Sequence, residues 1–519
     1  MMRTFAMAFS IMAASVASAS ASAPALARAA APVLPARPGA TLRVAFDQRA
    51  PRPGVRLLEL TRTRDGWRGQ LTSDWYGTMP MRNIVRDGDT VRFDVRNINT
   101  PGQPVRRWTA TLTPSGVLLT GGIWFSEVRQ TGKPVGAARA AALAHHAFAL
   151  PALGTIAPDG LAATPPMGWS SWNKFAERID DRTIRAIADA MVSSGLRDAG
   201  YRYVNIDDGW QGERGADGEL RPNAKFPDMR ALADYVHARG LKLGLYSSPG
   251  LKTCAGYTGS YGHVAQDART FARWGVDYLK YDLCSGEWQY DDADRVRRSY
   301  YEMGAALKAT GRAIVYSLCE YGRFEVADWG RAVGGHLWRT TGDITDDYAK
   351  MSEIGFVRNP RFAHAGPGGW NDPDMLEIGN GGMSDDEYRT HMTLWAMSAA
   401  PLMMGHDVRT TSPAALALLS HRAVIAIDQD AAGVQGKAVR VAGAQEVWAK
   451  RLADGAVAIA LFNRGDRPVE MRVTAADAGF ARFSALRDLW RDADLPPAGT
   501  TFTVPAHGTV LLRAAGERP

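Results

Sequence analysis

The chain is 519 residues long, 46% hydrophobic and 22% charged, which excludes a disordered chain and leaves room for several domains with a large core. Its 61 Lys and Arg residues against 54 Asp and Glu leave a net charge of +7 with no basic run, so a nucleic-acid partner is not expected. Three cysteines, Cys254, Cys284 and Cys319, contain no Cys-x-x-Cys pair and make no structural zinc site, while an oxidising compartment would allow one disulfide with one thiol left over.

In chain order, residues 1–27 have the form of an export signal: Arg3 gives a positive start, an apolar stretch runs from Thr4 to Val16, and Ala21-Ser-Ala23 and Ala25-Leu-Ala27 are small-residue cleavage patterns. A secreted or periplasmic protein is expected. No other stretch reaches the ~18 apolar residues that span a bilayer, so no membrane partner is expected. Residues 37–135 carry short alternating runs such as Thr41–Phe46, Thr90–Val95 and Trp108–Thr113, separated by Gly, Pro, Asn and Asp. These predict a small antiparallel β domain, in which Trp67 and Trp75 serve as core or, if exposed, as sugar contacts. Residues 136–163 read as a linker with one helix.

From 164 to 430, apolar strand-like segments alternate with helical patterns. The strands are read at Met167–Trp172, Tyr203–Asp207, Leu241–Tyr246, Val276–Asp282, Ala313–Leu318, His336–Thr341, Gly369–Met375 and Pro401–Met404. Helices are read at Asp181–Asp198, Met229–Arg239, Val264–Trp274 and Ala293–Ala309. Eight such units predict an α/β fold, a (β/α)8 TIM barrel. A doubly wound open sheet is the competing reading, disfavoured because no Gly-rich dinucleotide turn follows the first strand. Residues 431–519 return to alternating or apolar runs and predict a C-terminal antiparallel β-sandwich packed on the barrel.

The most informative stretch is Val276-Asp-Tyr-Leu-Lys-Tyr-Asp282, because a buried strand here carries Lys280 and Asp282 two apart, on one face, near its end. Buried charges are costly unless paired or used. Barrel sites lie at the C-terminal strand ends. The polar and aromatic residues expected there are Trp169, Trp172, Asp207, Asp208, Tyr246, Lys280, Asp282, Glu320, Arg339, Asp343, Asp372 and Asp374. Five strands ending in acids are hard to read as a solvated rim, and the scarcity of histidine weakens a metal site. Glycoside hydrolysis suits the set: one carboxylic acid protonates the leaving oxygen, a carboxylate works on the opposite face of the sugar, and Trp and Tyr supply apolar faces. Lys280 beside Asp282 is expected to hold that carboxylate ionised, as a nucleophile requires. Asp343 is one of several acid candidates, with Asp207, Asp372 and Asp374.

These segments together resemble glycoside hydrolase family 27, the α-galactosidase (melibiase) family. The resemblance rests on Pro166-Met-Gly-Trp-Ser-Ser-Trp-Asn173, Asn205-Ile-Asp-Asp-Gly-Trp210, Tyr278-Leu-Lys-Tyr-Asp282, Trp338-Arg-Thr-Thr-Gly-Asp343, Trp370-Asn-Asp-Pro-Asp-Met375 and Pro401-Leu-Met-Met404. It implies a retaining glycosidase that releases terminal α-linked galactose from oligosaccharides or polysaccharides, with no metal and no cofactor. Asp282 would be the nucleophile and Asp343 the acid/base. Asp207 and Asp208 would grip the 4- and 6-hydroxyls, Lys280 and Arg339 would contact hydroxyls near the reacting centre, and Trp172 would form the pocket floor. Tyr246 and Asp374 complete the match. The resemblance also implies a Cys254–Cys284 disulfide beside the pocket, and Gly209 stands where the family often has a further cysteine. Glu320 would crowd an N-acetyl group at C2 and so favour galactose over N-acetylgalactosamine. The loop Tyr246–Gly250 departs from the plant and animal pattern, which has an acidic residue there, so β-L-arabinopyranosides stay open as substrates. An inactive carbohydrate-binding protein is the competing class, and the intact Asp282 and Asp343 argue against it.

Overall fold

The computed structural model describes residues 31–47, 54–95, 106–123, 126–145, 147–290, 292–361, 364–497 and 500–518; the expected signal at 1–27 lies outside them. Eight strands, from Thr41–Phe46 to Ser126–Pro134, pair antiparallel in sequence order, and the last returns to the first with Val44 opposite Pro134. Closure leaves no sheet edge exposed. Alternate positions such as Leu42, Val44 and Phe46, or Val91, Phe93 and Val95, point into one core with Leu71, Trp108 and Leu119. The antiparallel β domain read from the alternation is thus a closed barrel. The segment after it holds one helix, Ala137–Leu143.

The central region is a parallel barrel. Its strands are Met167–Ser170, Tyr203–Asn205, Lys242–Ser247, Tyr278–Asp282, Val315–Cys319, Leu337–Arg339, Trp370–Asp372 and Leu402–Met404, and the eighth pairs with the first. Between the seventh and eighth the ladder shrinks to one bridge, Leu376 with Met404. Pro373 has no N–H to donate, and Asp374 turns to φ 87°, so pairing resumes only at Leu376 N to Met403 O, 2.7 Å. Aspartate side chains cap three of the outer helices: Asp180, Asp228 and Asp292 each accept from the backbone N–H three residues on. The single helix expected over Asp181–Asp198 is instead two, Asp181–Ser193 and Leu196–Ala199, because Gly195 adopts φ 81° and ends the first.

The C-terminal region pairs Lys437–Ala442, Gln445–Arg451, Val457–Asn463, Arg482–Asp488, Ala493–Leu495 and Thr509–Glu517 in one sheet, and Val469–Arg472 with Thr501–Val504 in another. A core of Val447, Ile459, Leu461, Phe483, Phe502 and Leu512 lies between them. The sandwich clamps the barrel helix Asp385–Ser398: Trp490 Nε1 donates to Thr393 Oγ1 at 2.9 Å and Lys450 Nζ to the Ala396 carbonyl at 2.9 Å. Phe356, Trp448 and Phe462 close the seam edge to face. Among the described residues no helix is long and apolar enough to cross a membrane.

Candidate active site

Strand alternation builds the centre of the site. Tyr246 lies opposite Lys280, which lies opposite Ser317, and Asp282 lies opposite Cys319, so these side chains form layers facing the barrel axis. One pocket at the C-terminal strand ends is lined by Trp172, Asp207, Asp208, Tyr246, Lys280, Asp282, Arg339, Asp343 and Asp374, together with Asn173, Cys254, Tyr321 and Met375. Trp172 opens the short helix that follows the first strand, rather than ending the strand.

Its polar groups are held in place from several directions. Lys280 Nζ donates to Asp207 Oδ2 at 2.9 Å and lies 5.3 Å from the Tyr246 ring centroid. Ser171 Oγ accepts from Asp207 N at 2.9 Å. Asp208 Oδ2 accepts from Ala255 N at 2.7 Å, while its buried Oδ1 has no partner among the described residues. Such an acceptor is costly until a ligand donor meets it. Tyr321 Oη donates to Asp282 Oδ1 at 2.6 Å. Arg339 Nη2 reaches Asp374 Oδ2 at 2.9 Å and Asp343 Oδ1 at 3.1 Å. Asp374 is fixed further by Ile344 N to Oδ2 and Met375 N to Oδ1, both 2.9 Å. Its φ of 87°, like the 65° of Tyr321, is left-handed backbone at non-glycine residues, strain that the surrounding bonds must hold. Cys254 and Cys284 form a disulfide with Cα atoms 5.0 Å apart, and Cys284 Sγ lies 3.1 Å from Tyr246 Oη. Cys319 is free and buried.

The chain is similar to known proteins over both its central barrel and its C-terminal sandwich. The model of α-galactosidase A matches residues 164–430, and that of the α-galactosidase C-terminal β-sandwich domain matches 442–514. The α-galactosidase of Cyamopsis tetragonoloba is 47% identical over 341 residues, 64% of this chain and 82% of its own length. The chain belongs to the α-galactosidase family, glycoside hydrolase family 27. α-Galactosidase A of Homo sapiens is 42% identical over 350 residues, 62% of this chain and 80% of its own. The crystal structure of α-galactosidase I from Mortierella vinacea matches with a TM-score of 0.66 at 35% identity, covering 70% of this chain and 99% of its own. The α-galactosidase from Saccharomyces cerevisiae with raffinose has a TM-score of 0.65 at 30% identity, covering 69% and 100%. Family membership makes the chain a glycosidase with α-galactosidase activity. The N-terminal barrel, 41–134, lies outside both matched segments.

Two expectations need correction. Glu320 does not reach the pocket: it is 0% exposed, and its Oε1 accepts from Gly322 N at 3.0 Å. Alternation explains this. Ser317 and Cys319 face inward in register with Lys280 and Asp282, so the next inward position is Tyr321, and Glu320 points the other way. Counting by two from Lys280 and Asp282 across the neighbouring strand would have found Tyr321; polarity alone selected Glu320. Burial pushes the Glu320 carboxyl up to about 8, so it is largely neutral and serves as packing under the site.

The second correction concerns Asp282. Lys280 pairs with Asp207 across the strand between them, not with Asp282. Burial on balance raises the Asp282 carboxyl, while Lys280, as expected, and the Tyr321 hydrogen bond pull it down, and the charges of Asp343 and Asp207 add to the rise. At Asp343, partial desolvation by the pocket wall works upward, but Arg339 and Lys280 outweigh it and leave the carboxyl below its usual value. Its side chain is 65% exposed at the pocket mouth. For Asp208, burial dominates over the Ala255 and Thr253 hydrogen bonds, and with Asp207 and Asp282 nearby the carboxyl rises to about 7.

Proposed function

We propose that this chain releases terminal α-linked D-galactose with net retention, Asp282 acting as nucleophile and Asp343 as acid/base. The observation that carries the reading is the placement of these two carboxyls in one pocket, close enough that the charge of Asp343 raises Asp282. Tyr321 occupies Asp282 Oδ1, which leaves Oδ2 for attack at C1. In the first step Asp282 forms the bond to C1 while the protonated fraction of Asp343, small in the free site because Arg339 and Lys280 lower that carboxyl, delivers its proton to the departing oxygen. In the second, Asp343 takes a proton from water, and that water displaces Asp282. One carboxyl must be ionised and the other protonated for turnover, so kcat/KM should follow a bell in pH with two apparent values that belong to the site as a whole.

The sugar's polar side meets Asp207 and Asp208, whose free Oδ1 suits a hydroxyl donor, while Trp172 offers an apolar face. Asp208 is assigned to the 6-hydroxyl and Asp207 to the 4-hydroxyl, and Arg339 with Lys280 to hydroxyls nearer C1. Oligosaccharides or polysaccharides with terminal α-linked galactose are the substrate class, with raffinose-type oligosaccharides, galactomannan side chains or another glycan as its members. Export to the periplasm or medium is part of this reading, supported by the pattern over 1–27 and by the Cys254–Cys284 pair, which suits an oxidising compartment. The mass of the mature chain would read the cleavage site.

The test is hydrolysis of an aryl α-galactoside followed by proton NMR. Retention gives α-galactose as the first anomer, before mutarotation. β-Galactose first would remove Asp282 from the nucleophile's role, and galactose binding without aglycone release would favour the inactive carbohydrate-binding class.

A further inference from the structure

The N-terminal barrel lies outside the matched segments, yet its turn between Trp67–Ser73 and Gly77–Asp87 meets the rim of the galactose pocket. Trp75, half-buried at this turn, lies over Gly256: a Cβ on that glycine would stand 2.5 Å from the indole Cη2. Gly256 also has φ 88°, so both its backbone and the indole require a glycine there. Beside it, Gly77 closes on Leu251 and Gln289, with a hypothetical Cβ 2.7 Å from Gln289 Nε2. His145 Nε2 lies 3.0 Å from the Ser73 carbonyl, tying the following segment to the same turn.

Gly256 belongs to a tight loop in which Gly256 N donates to the Thr253 carbonyl at 3.0 Å and Tyr257 N to Thr253 Oγ1 at 2.9 Å. This loop carries Cys254, which lines the pocket, and Ala255, whose N–H holds Asp208 at 2.7 Å. The indole is therefore one residue from the donor that aims Asp208.

We infer that the N-terminal barrel is a working part of the galactose pocket and that Trp75 is a positioning residue, pressing loop 253–257 into the place where Ala255 orients Asp208. The inference rests on the proposed assignment of Asp208 to the 6-hydroxyl. It gives the barrel a role in discriminating sugars with a hydroxymethyl arm at C5 from those without one.

The experiment measures competitive inhibition by D-galactose and by L-arabinose, which keeps the ring hydroxyl layout but lacks the arm, against an aryl α-galactoside. The full-length wild type, Trp75→Ala and Trp75→Phe are compared. Trp75→Ala should raise the inhibition constant for galactose about fivefold or more while that for arabinose moves less than about twofold, and Trp75→Phe should recover most of the loss. Unchanged constants for both sugars would overturn the inference, and so would equal losses for both, which would mark Trp75 as general support for the fold. If Trp75→Ala does not fold, Trp75→Phe and Trp75→Leu carry the same comparison. Failure of the wild type to cleave the galactoside would instead sink the activity on which the inference rests, and would be seen before any variant is measured.

Discussion

Tyr321 is bonded to Asp282 at 2.6 Å, so the carboxylate proposed as nucleophile is oriented by a hydroxyl that also lowers its pKa. A hydrogen bond to a charged acceptor contributes about 1.5–3 kcal/mol, so Tyr321→Phe should lower kcat/KM roughly ten- to a hundredfold. The sign of the pH effect follows. Losing the donor raises Asp282 further, and its ionised form is then lost at a higher pH on acidification. The acid limb of the kcat/KM profile should move to higher pH, read from initial rates across the profile; an unmoved limb would separate Tyr321 from Asp282. Much of the pocket was legible residue by residue, because Asp207, Lys280, Asp282 and Arg339 are charges placed in apolar strands or at their ends. Tyr321 was not, since nothing in its polarity distinguishes it from a core aromatic, and only its place in the alternation marks it.

At the scale of elements, loop 253–257 is held by the disulfide on one side and by Trp75 on the other. The bridge closes a span of 30 residues, and a loop of that size restrains the unfolded chain by about 3–4 kcal/mol. A Cys254→Ser, Cys284→Ser double variant should melt at lower temperature and show a raised KM, because the loop holds Asp208. Thermal melts and steady-state kinetics check both parts. Helices Val264–Trp274 and Ala293–Ala309 stand where their periodicity placed them, while Asp181–Asp198 did not survive as one helix. A mid-pattern glycine such as Gly195 is compatible with a helix on periodicity alone, and its left-handed turn is set by the strand that must follow. The break at Pro373 likewise shortens the seventh strand, and its closure through Leu376 depends on a partner some 28 residues on, invisible in the local pattern.

Across the whole molecule, the central barrel meets the N-terminal barrel through Trp75 on Gly256 and the sandwich through the helix Asp385–Ser398. The helix Asp385–Ser398 lies between the catalytic barrel and the sandwich and carries His391, which is fully buried and whose Nε2 accepts from Glu377 N at 3.1 Å. That bond needs the neutral ring, and burial lowers the His391 pKa to about 3. The unfolded chain takes up this proton near pH ~6.5, so the contribution to stability is complete above that pH and is lost as pH falls toward 3. Denaturant unfolding at stepped pH should show a slope of about 1.4 kcal/mol per unit from this group, and His391→Gln should flatten it. An unchanged slope in the variant would place the acid sensitivity elsewhere. The closed form of the N-terminal barrel, and its seat against the pocket, were beyond the sequence because both depend on contacts between residues far apart in the chain.

The most direct measurement is of Asp282→Gly with an aryl α-galactoside in the presence and absence of azide. The variant should lose turnover, and azide should enter the space left by the carboxylate and restore aglycone release with β-galactosyl azide as product, since one displacement now inverts the centre. Full hydrolysis by the variant without azide would contradict the account.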